Sequence, residues 1–198
     1  MRVGVAVVVG LLAAASTAGA QAPRALTLDD LYDPATRIDV TGGAPTGFVW
    51  VSDTHYIWPK PDGSVVAWTK VEAATGDSTP LFETRAVSDR AAAALGLESA
   101  VVGRALASRG LEMNPERTAA VIAIDRDLYY VPFGANDRAQ RLTSTPEEED
   151  EFTFSPNGEL VSFLRGNDLH VVDVDHRRER RLTTDGGPQR LTGRLAWI

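Results

Sequence analysis

The sequence predicts an all-β fold, an incomplete β-propeller of roughly four blades of antiparallel meander. The first observation behind this prediction is an internal repeat, because the segment that begins at Asn114 returns after Ser155. The second is that each copy consists of short apolar runs separated by polar turns, with no apolar run of helical length between them. A period of about 40–45 residues built from short strands is typical of propellers, with one blade for each repeat.

The two copies of the repeat correspond at turn, charged and apolar positions. The corresponding pairs are Pro115 with Pro156, Asp127 with Asp168, and Leu142 with Leu182. The first two pairs are 41 positions apart and the third pair is 40 apart. Such regular spacing indicates that each copy forms the same set of strands and turns.

The second copy shows these strands most clearly. Pro156-Asn157-Gly158 is a turn, since Asn and Gly tolerate positive φ. The strands predicted after it are Leu160–Leu164, Leu169–Val174 and Glu179–Thr183, with turns at 165–168 and 175–178. Strands joined by tight polar turns form an antiparallel meander, and a parallel βαβ arrangement does not fit.

The chain before the repeat contains a short helix and several strands. The helix is predicted from Ala25 to Asp33, capped by Thr27 with Asp30 three residues later. The strands predicted after a loop at 41–45 are 48–51, 56–58 and 65–71, with turns at 52–53, 59–63 and 74–77 and a return through 79–82.

A helical excursion is predicted near residues 88–109, where the β pattern stops. Ser88 can cap a first helix from Asp89 to Leu95, and Gly96 interrupts it. A second helix fits Glu98 to Ser108, because its apolar residues recur at helical spacing. We expect this excursion to lie between strands of one blade.

The first twenty residues have the features of a signal peptide. Arg2 precedes an apolar or glycine run from Val3 to Ala15, and Ala18-Gly19-Ala20 fits a cleavage site that leaves Gln21 first. The run is shorter than the ~20 residues that a membrane span requires. A buried first strand is the alternative. The predicted domains are therefore a signal peptide at 1–20 and a partial propeller at 21–198, in a periplasmic or secreted protein.

Composition limits the possible partners. The formal net charge is −7 and becomes −8 when Arg2 is removed with the signal peptide. An acidic chain is a poor partner for nucleic acid or anionic lipid, so we expect neither, and no membrane span. The chain has no cysteine, which excludes disulfides, thiol chemistry and cysteine-ligated metals.

Two charged runs are candidate sites. The acidic run Glu147–Glu151 could bind calcium or an amine, but an acidic loop is usually only solvated. The basic run His176–Arg181 could bind a polyanion, but it falls on a predicted hairpin and contains Glu179. We interpret both runs as solvated surface.

No residue is predicted to be catalytic, to bind substrate or cofactor, or to ligate a metal. His55, His170 and His176 share no metal-ligand spacing, and we expect a packing or surface role for His170. The sequence contains no G-x-S-x-G, no P-loop and no dinucleotide fingerprint. The tryptophans at 50, 58, 68 and 197 are most simply core or blade-interface residues. No cofactor is expected.

The repeat also resembles a known family. Phe154-Ser155-Pro156-Asn157-Gly158 followed by Val161-Ser162-Phe163 is similar to a motif shared by many propellers, including the TolB type. The continuation Asn167–Asp173, Arg181–Gly187 and Leu195-Ala196-Trp197 resembles the N-terminal propeller of the dipeptidyl peptidase IV family. Leu26–Tyr32 also resembles the start of its bacterial members.

The resemblance implies a function for a longer relative of this chain. In that family, a glutamate pair after the tryptophan that matches Trp197 holds the substrate's amine, and a hydrolase domain carries a Ser-Asp-His triad. This sequence has Ala196 in place of the usual Asp and ends at Ile198, so no functional residue is carried over. The expectation is a propeller fragment of an exported serine exopeptidase that releases N-terminal dipeptides.

The fragment by itself is expected to be inactive, because peptide substrates would be handled only through the catalytic domain. Self-association through open propeller edges is the one partner interaction expected of it. The alternatives are a non-catalytic, TolB-like propeller that acts as a binding or interaction module, and a reading frame cut by a frameshift.

Overall fold

A computed structural model describes most of the chain after the predicted signal peptide. The described residues are 27–33, 47–62, 65–188, 190 and 192–193, with Asp62 and Val65 described only as backbone. The chain divides into two units, residues 1–44 and 45–198. The predicted signal peptide, the predicted loop at 41–45 and Trp197 lie outside the described residues. Among those that are described, no helix has the length and apolar character that crossing a bilayer requires.

The first unit contains one described helix, α1 (Leu28–Tyr32). Its capping box forms as predicted. The backbone N–H of Asp30 donates to the Thr27 hydroxyl at 3.3 Å, and the backbone N–H of Thr27 donates to the Asp30 carboxylate at 2.8 Å. This reciprocal cap satisfies backbone donors that the first turn of a helix otherwise leaves unpaired.

The second unit is an incomplete β-propeller, which confirms the predicted fold class. Three four-stranded antiparallel sheets are described in it, and each follows the order of the sequence. The first sheet contains β1 (Val49–Trp50), β2 (His55–Asp62), β3 (Val65–Glu72) and β4 (Ser78–Pro80). The second contains β5 (Glu112–Met113), β6 (Ala119–Ile124), β7 (Asp127–Pro132) and β8 (Gln140–Arg141). The third contains β9 (Glu149–Phe154), β10 (Leu160–Arg165), β11 (Asp168–Asp173) and β12 (Glu179–Arg181).

The 41-residue repeat is visible in the backbone angles. Three pairs of positions separated by 41 residues all have left-handed φ values. These are Arg117 (58°) with Gly158 (73°), Asp125 (49°) with Gly166 (56°), and Arg126 (76°) with Asn167 (68°). The β6–β7 and β10–β11 hairpins therefore turn with positive φ at both central residues, the conformation that matches strand twist.

The two predicted helices form, but their positions differ from the prediction. They are α2 (Thr84–Leu95) and α3 (Ser99–Leu106), and Gly96 ends α2 in the left-handed conformation with φ 72°. Ser88 does not cap α2. It is buried inside the helix and donates to the Thr84 carbonyl at 2.6 Å. The helices follow the last strand of the first sheet and precede the first strand of the second, so they lie between blades rather than within one.

The predicted turn at 59–63 is also corrected, because β2 continues through Asp62. Pro59 pairs with Trp68 and Pro61 pairs with Val66 in β3. Residues two apart in a strand direct their backbone nitrogens to the same side, and β1 pairs with β2 only at Tyr56 and Ile57. The prolines therefore lie where a missing N–H is tolerated.

Two apolar clusters hold the sheets together. The first joins the first sheet, α2, α3 and one face of the second sheet, and includes Ile57, Trp68, Val102, Leu106, Ile122 and Val131. The second joins the other face of the second sheet to the third sheet, and includes Val121, Leu128, Val161, Phe163 and Val172. Both faces of the second sheet are thus buried, as a propeller blade requires.

Candidate functional site

The second and third sheets each contain the same cluster of aspartate, arginine and threonine. In the second sheet, Arg141 forms an ion pair with Asp127, and its Nε donates to the Thr143 carbonyl at 2.8 Å. The Thr143 hydroxyl accepts the backbone N–H of Leu128 at 2.8 Å. The backbone N–H of Thr145 donates to Asp127 at 3.1 Å. The cluster therefore fixes the start of β7 to the segment that leaves β8.

The third sheet repeats these contacts. Arg181 pairs with Asp168 and donates from Nε to the Thr183 carbonyl at 2.8 Å. The Thr183 hydroxyl accepts the backbone N–H of Leu169 at 3.0 Å, and the N–H of Gly186 donates to Asp168 at 2.9 Å. Burial of the Asp168 carboxyl opposes ionisation, but the hydrogen bonds from Thr183, Gly186 and Arg181 outweigh it and lower its pKa.

A buried ionic cluster surrounds Arg165, the last residue of β10. Its Nε donates to Glu149 at 2.9 Å, and its Nη1 and Nη2 donate to the two carboxylate oxygens of Glu179 at 2.6 and 2.9 Å. His170 Nδ1 lies 2.9 Å from Glu179. Burial disfavours the Arg165 cation, but the hydrogen bonds to Glu179 and Glu149 outweigh it and raise its pKa. The bonds from Arg165 and His170 together lower the pKa of Glu179.

This ionic cluster joins the third sheet to the second. The Thr143 hydroxyl donates to Glu149 at 2.7 Å and the Thr145 hydroxyl donates to it at 2.8 Å, both from the segment after β8. The interpretation of residues 147–151 as a solvated loop is therefore wrong for Glu149, which begins β9 and is only 3% exposed. Arg165, 16 positions away, supplies the charge that makes its burial possible.

The three histidines have separate roles. His170 is buried and stacks on Phe163 at 5.4 Å between ring centroids, which confirms the predicted packing role. His55 contacts the Thr54 hydroxyl at 2.8 Å, and His176 contacts the Asp173 carboxylate at 3.0 Å. Within the described ranges, no group of three or more His, Asp or Glu side chains is arranged to hold a metal ion.

The basic run at 176–181 forms the predicted hairpin. The backbone N–H of Arg177 donates to the Asp173 carbonyl at 2.8 Å, and Arg177 has a φ of 55°. Two of its charges point to other side chains, Glu179 to Arg165 and Arg181 to Asp168. The run therefore consists of a turn and the strand β12 rather than a uniform basic surface.

The first sheet exposes a cluster of aromatic side chains, here called the aromatic face, formed by Phe48, Trp50, Tyr56 and Trp58. Phe48 and Trp50 are 43% and 55% exposed. Each makes an edge-to-face contact with Tyr56, at centroid distances of 5.7 and 5.6 Å. With Ala73, the four side chains line a cavity of about 320 Å³. This arrangement can bind an apolar partner, but it carries no group that could perform acid–base or nucleophilic chemistry.

The tryptophans were predicted to be core or blade-interface residues, and the structure separates them. Trp68 is buried in the first apolar cluster, whereas Trp58 is half-buried and Trp50 is mostly exposed. Sequence reasoning missed the aromatic face as a surface. The signal was the period-2 spacing of Phe48 with Trp50 and of Tyr56 with Trp58, which places each pair on one side of the sheet.

Comparison with known proteins places the repeat in a family context. Residues 123–198 match the dipeptidyl peptidase IV (DPP IV) N-terminal region, which confirms the predicted resemblance over this part of the chain. No curated protein sequence matches the chain.

Solved structures similar to the chain include three proteins. The dipeptidyl peptidase 4 of Porphyromonas gingivalis is 20% identical, with a TM-score of 0.44 over 68% of this chain and 18% of its own. The tricorn protease is 15% identical, with a TM-score of 0.40 over 69% of this chain and 13% of its own. A putative TolB from Agrobacterium tumefaciens is 14% identical, with a TM-score of 0.37 over 65% of this chain and 44% of its own. The chain thus spans less than half the length of each.

Proposed function

We propose, on the premise that residues 123–198 correspond to a dipeptidyl peptidase IV N-terminal region, that this chain is the N-terminal propeller segment of an exported serine exopeptidase. The match carries the proposal, because it covers β7, β8 and the whole third sheet. The full-length protein would release dipeptides from peptide N-termini, and its propeller would control access and bind the amine of the substrate.

The proposed role of these residues is structural and gating rather than catalytic. The buried polar groups of the second and third sheets already hydrogen-bond one another, as the Arg165 cluster and the two Asp-Arg-Thr clusters show. A serine peptidase needs a nucleophile held by a base and placed beside an oxyanion site. The 198 residues contain no G-x-S-x-G to provide one in a hydrolase domain.

The direct test is a peptidase assay of purified residues 21–198. Chromogenic dipeptide substrates with proline or alanine in the second position should show no turnover above buffer. Turnover that persists through repurification and is blocked by a serine-directed phosphonate would contradict the proposed division of roles.

The coding DNA beyond codon 198 distinguishes the proposal from its alternative. A downstream V-Y-x-E-E followed by G-W-S-Y-G-G, in any frame, would supply the amine-binding glutamates and the nucleophile of the proposed peptidase. Absence of both would favour a TolB-like interaction module instead.

Export forms a separate part of the proposal and rests on the features of residues 1–20. Protein recovered from a bacterial periplasm should begin at Gln21 by intact-mass measurement. A soluble cytosolic product that retains Met1 would contradict cleavage and export.

A further inference from the structure

The aromatic face contains most of the exposed apolar side chains of the second unit. Of the five large apolar side chains described as exposed in residues 45–198, four form the continuous run 48–51 and the fifth is Leu182. Exposed apolar groups that cluster in this way mark interaction surfaces, whereas scattered ones do not.

Strand register shows which face of the sheet this is. Trp50 pairs with Tyr56 between β1 and β2, as Met113 pairs with Ala120 between β5 and β6 and Phe154 pairs with Val161 between β9 and β10. Two residues further along the second strand are Trp58, Ile122 and Phe163 in the respective sheets. The aromatic face is therefore the same face, position for position, in all three sheets.

This face is buried in the other two sheets. Ala120 and Ile122 are 0% and 2% exposed, in the cluster that joins the second sheet to the helices and the first sheet. Val161 and Phe163 are both 0% exposed, in the cluster that joins the third sheet to the second. The first sheet thus presents to solvent a face that the same architecture covers elsewhere.

We propose that the aromatic face is a docking surface for a second copy of this chain, packed through the same face about a two-fold axis. Phe48, Trp50, Tyr56 and Trp58 are uncharged, so the chain's net negative charge is carried elsewhere and does not oppose their contact. A two-fold axis makes one surface contact itself, and edge-to-face aromatic packing suits such an interface.

A head-to-tail arrangement of copies fits the structure less well. It would need the third sheet to offer the face opposite to Val161 and Phe163. On that face, Leu164 and Val171 are 2% and 9% exposed, so little apolar surface remains there. The proposal goes beyond the peptidase relationship and does not depend on it.

The test is sedimentation velocity of residues 21–198 over a range of concentrations. We expect a reversible monomer–dimer equilibrium, with Trp50→Lys raising the dissociation constant at least tenfold, because large aromatic anchors dominate interfaces. Leu182→Lys is the matched control, since Leu182 is 45% exposed and lies outside the aromatic face. It should leave the equilibrium unchanged.

Hydrogen exchange on the unmodified chain gives a second readout that does not depend on any variant folding. Raising the protein concentration should slow exchange at residues 48–58 and leave residues 160–182 unchanged. A monomer at all concentrations, a dimer insensitive to Trp50→Lys, an open-ended series of sizes, or protection confined to 160–182 would each overturn the proposal.

Discussion

At the scale of single residues, the fold depends on a small number of buried charges. The side chain of Glu149 is 0% exposed and that of Arg165 is 8% exposed. A buried ion pair gains little over apolar residues of similar size, but removal of one partner leaves an uncompensated charge in the interior. Arg165 therefore affects the stability of the third sheet more than any surface arginine.

Replacing Arg165 with leucine should destabilise the chain by about 3–5 kcal/mol, because Glu149 would keep its buried carboxylate without a cation. Urea unfolding followed by circular dichroism would measure the change. Arg178→Leu, at an exposed position on the β11–β12 turn, is the control and should change stability by no more than about 0.5 kcal/mol. The double variant Glu149→Leu/Arg165→Leu should recover part of the loss; equal effects of the two single variants would contradict this role.

Two adjacent glycines provide a second residue-level prediction. A Cβ on Gly186 would lie 2.2 Å from the Asn167 carbonyl oxygen, so Gly186→Ala must displace the N–H that donates to Asp168. We expect a loss of about 1–3 kcal/mol, since a hydrogen bond to a charged group is disturbed. A Cβ on Gly187 would meet nothing within 4 Å, so Gly187→Ala should be nearly neutral. Thermal unfolding of the two variants, if it gave equal shifts, would show that the Asp168 contacts are not needed.

At the scale of elements, the repeat determines turns as well as strands. Arg117 and Gly158 occupy equivalent positions with φ values of 58° and 73°. A side chain other than glycine is disfavoured there, because Cβ approaches the following carbonyl oxygen. The first copy therefore carries a strained residue where the second copy has the favoured one.

Exchanging the residue types at these turns should change stability in opposite directions. Arg117→Gly should stabilise the chain by about 0.5–1 kcal/mol, because it relieves the left-handed strain. Gly158→Ala should destabilise it by about 1–2 kcal/mol, since its Cβ would also lie 3.3 Å from Glu116. Chemical unfolding of both variants measures the pair. Two shifts in the same direction would mean that the turns are not equivalent.

Elements with strong local signals could be predicted from the sequence, and elements that depend on distant partners could not. The strands of the repeat follow from apolar runs between turn residues such as Asn157 and Gly158. The prolines of β2 were interpreted as a turn because the unpaired side of that strand is not visible in sequence. Glu149 was assigned to a solvated loop because its partners, Thr143 and Arg165, meet it only in the folded structure.

The same distinction applies to the candidate surface. The period of Phe48, Trp50, Tyr56 and Trp58 shows that they share faces of a sheet, but burial depends on what packs against that sheet. In the second and third sheets, a neighbouring element covers the equivalent positions. Sequence alone therefore predicted interface tryptophans but could not separate the buried Trp68 from the exposed Trp50.

At the scale of the whole molecule, the account depends on blades that pack face to face. The family relationship applies to the segment that includes the third sheet, and the docking proposal depends on which sheet faces are covered. Both follow if the second and third sheets bury Val121, Leu128, Val161 and Phe163 in one apolar cluster.

The most direct test of this packing is nuclear Overhauser spectroscopy of methyl- and aromatic-labelled residues 21–198. The structure predicts cross-peaks between the methyl groups of Val121 and Leu128 in the second sheet and those of Val161 and the ring of Phe163 in the third. Cross-peaks confined within each sheet, with none between the two sheets, would contradict the propeller arrangement on which the function proposal depends.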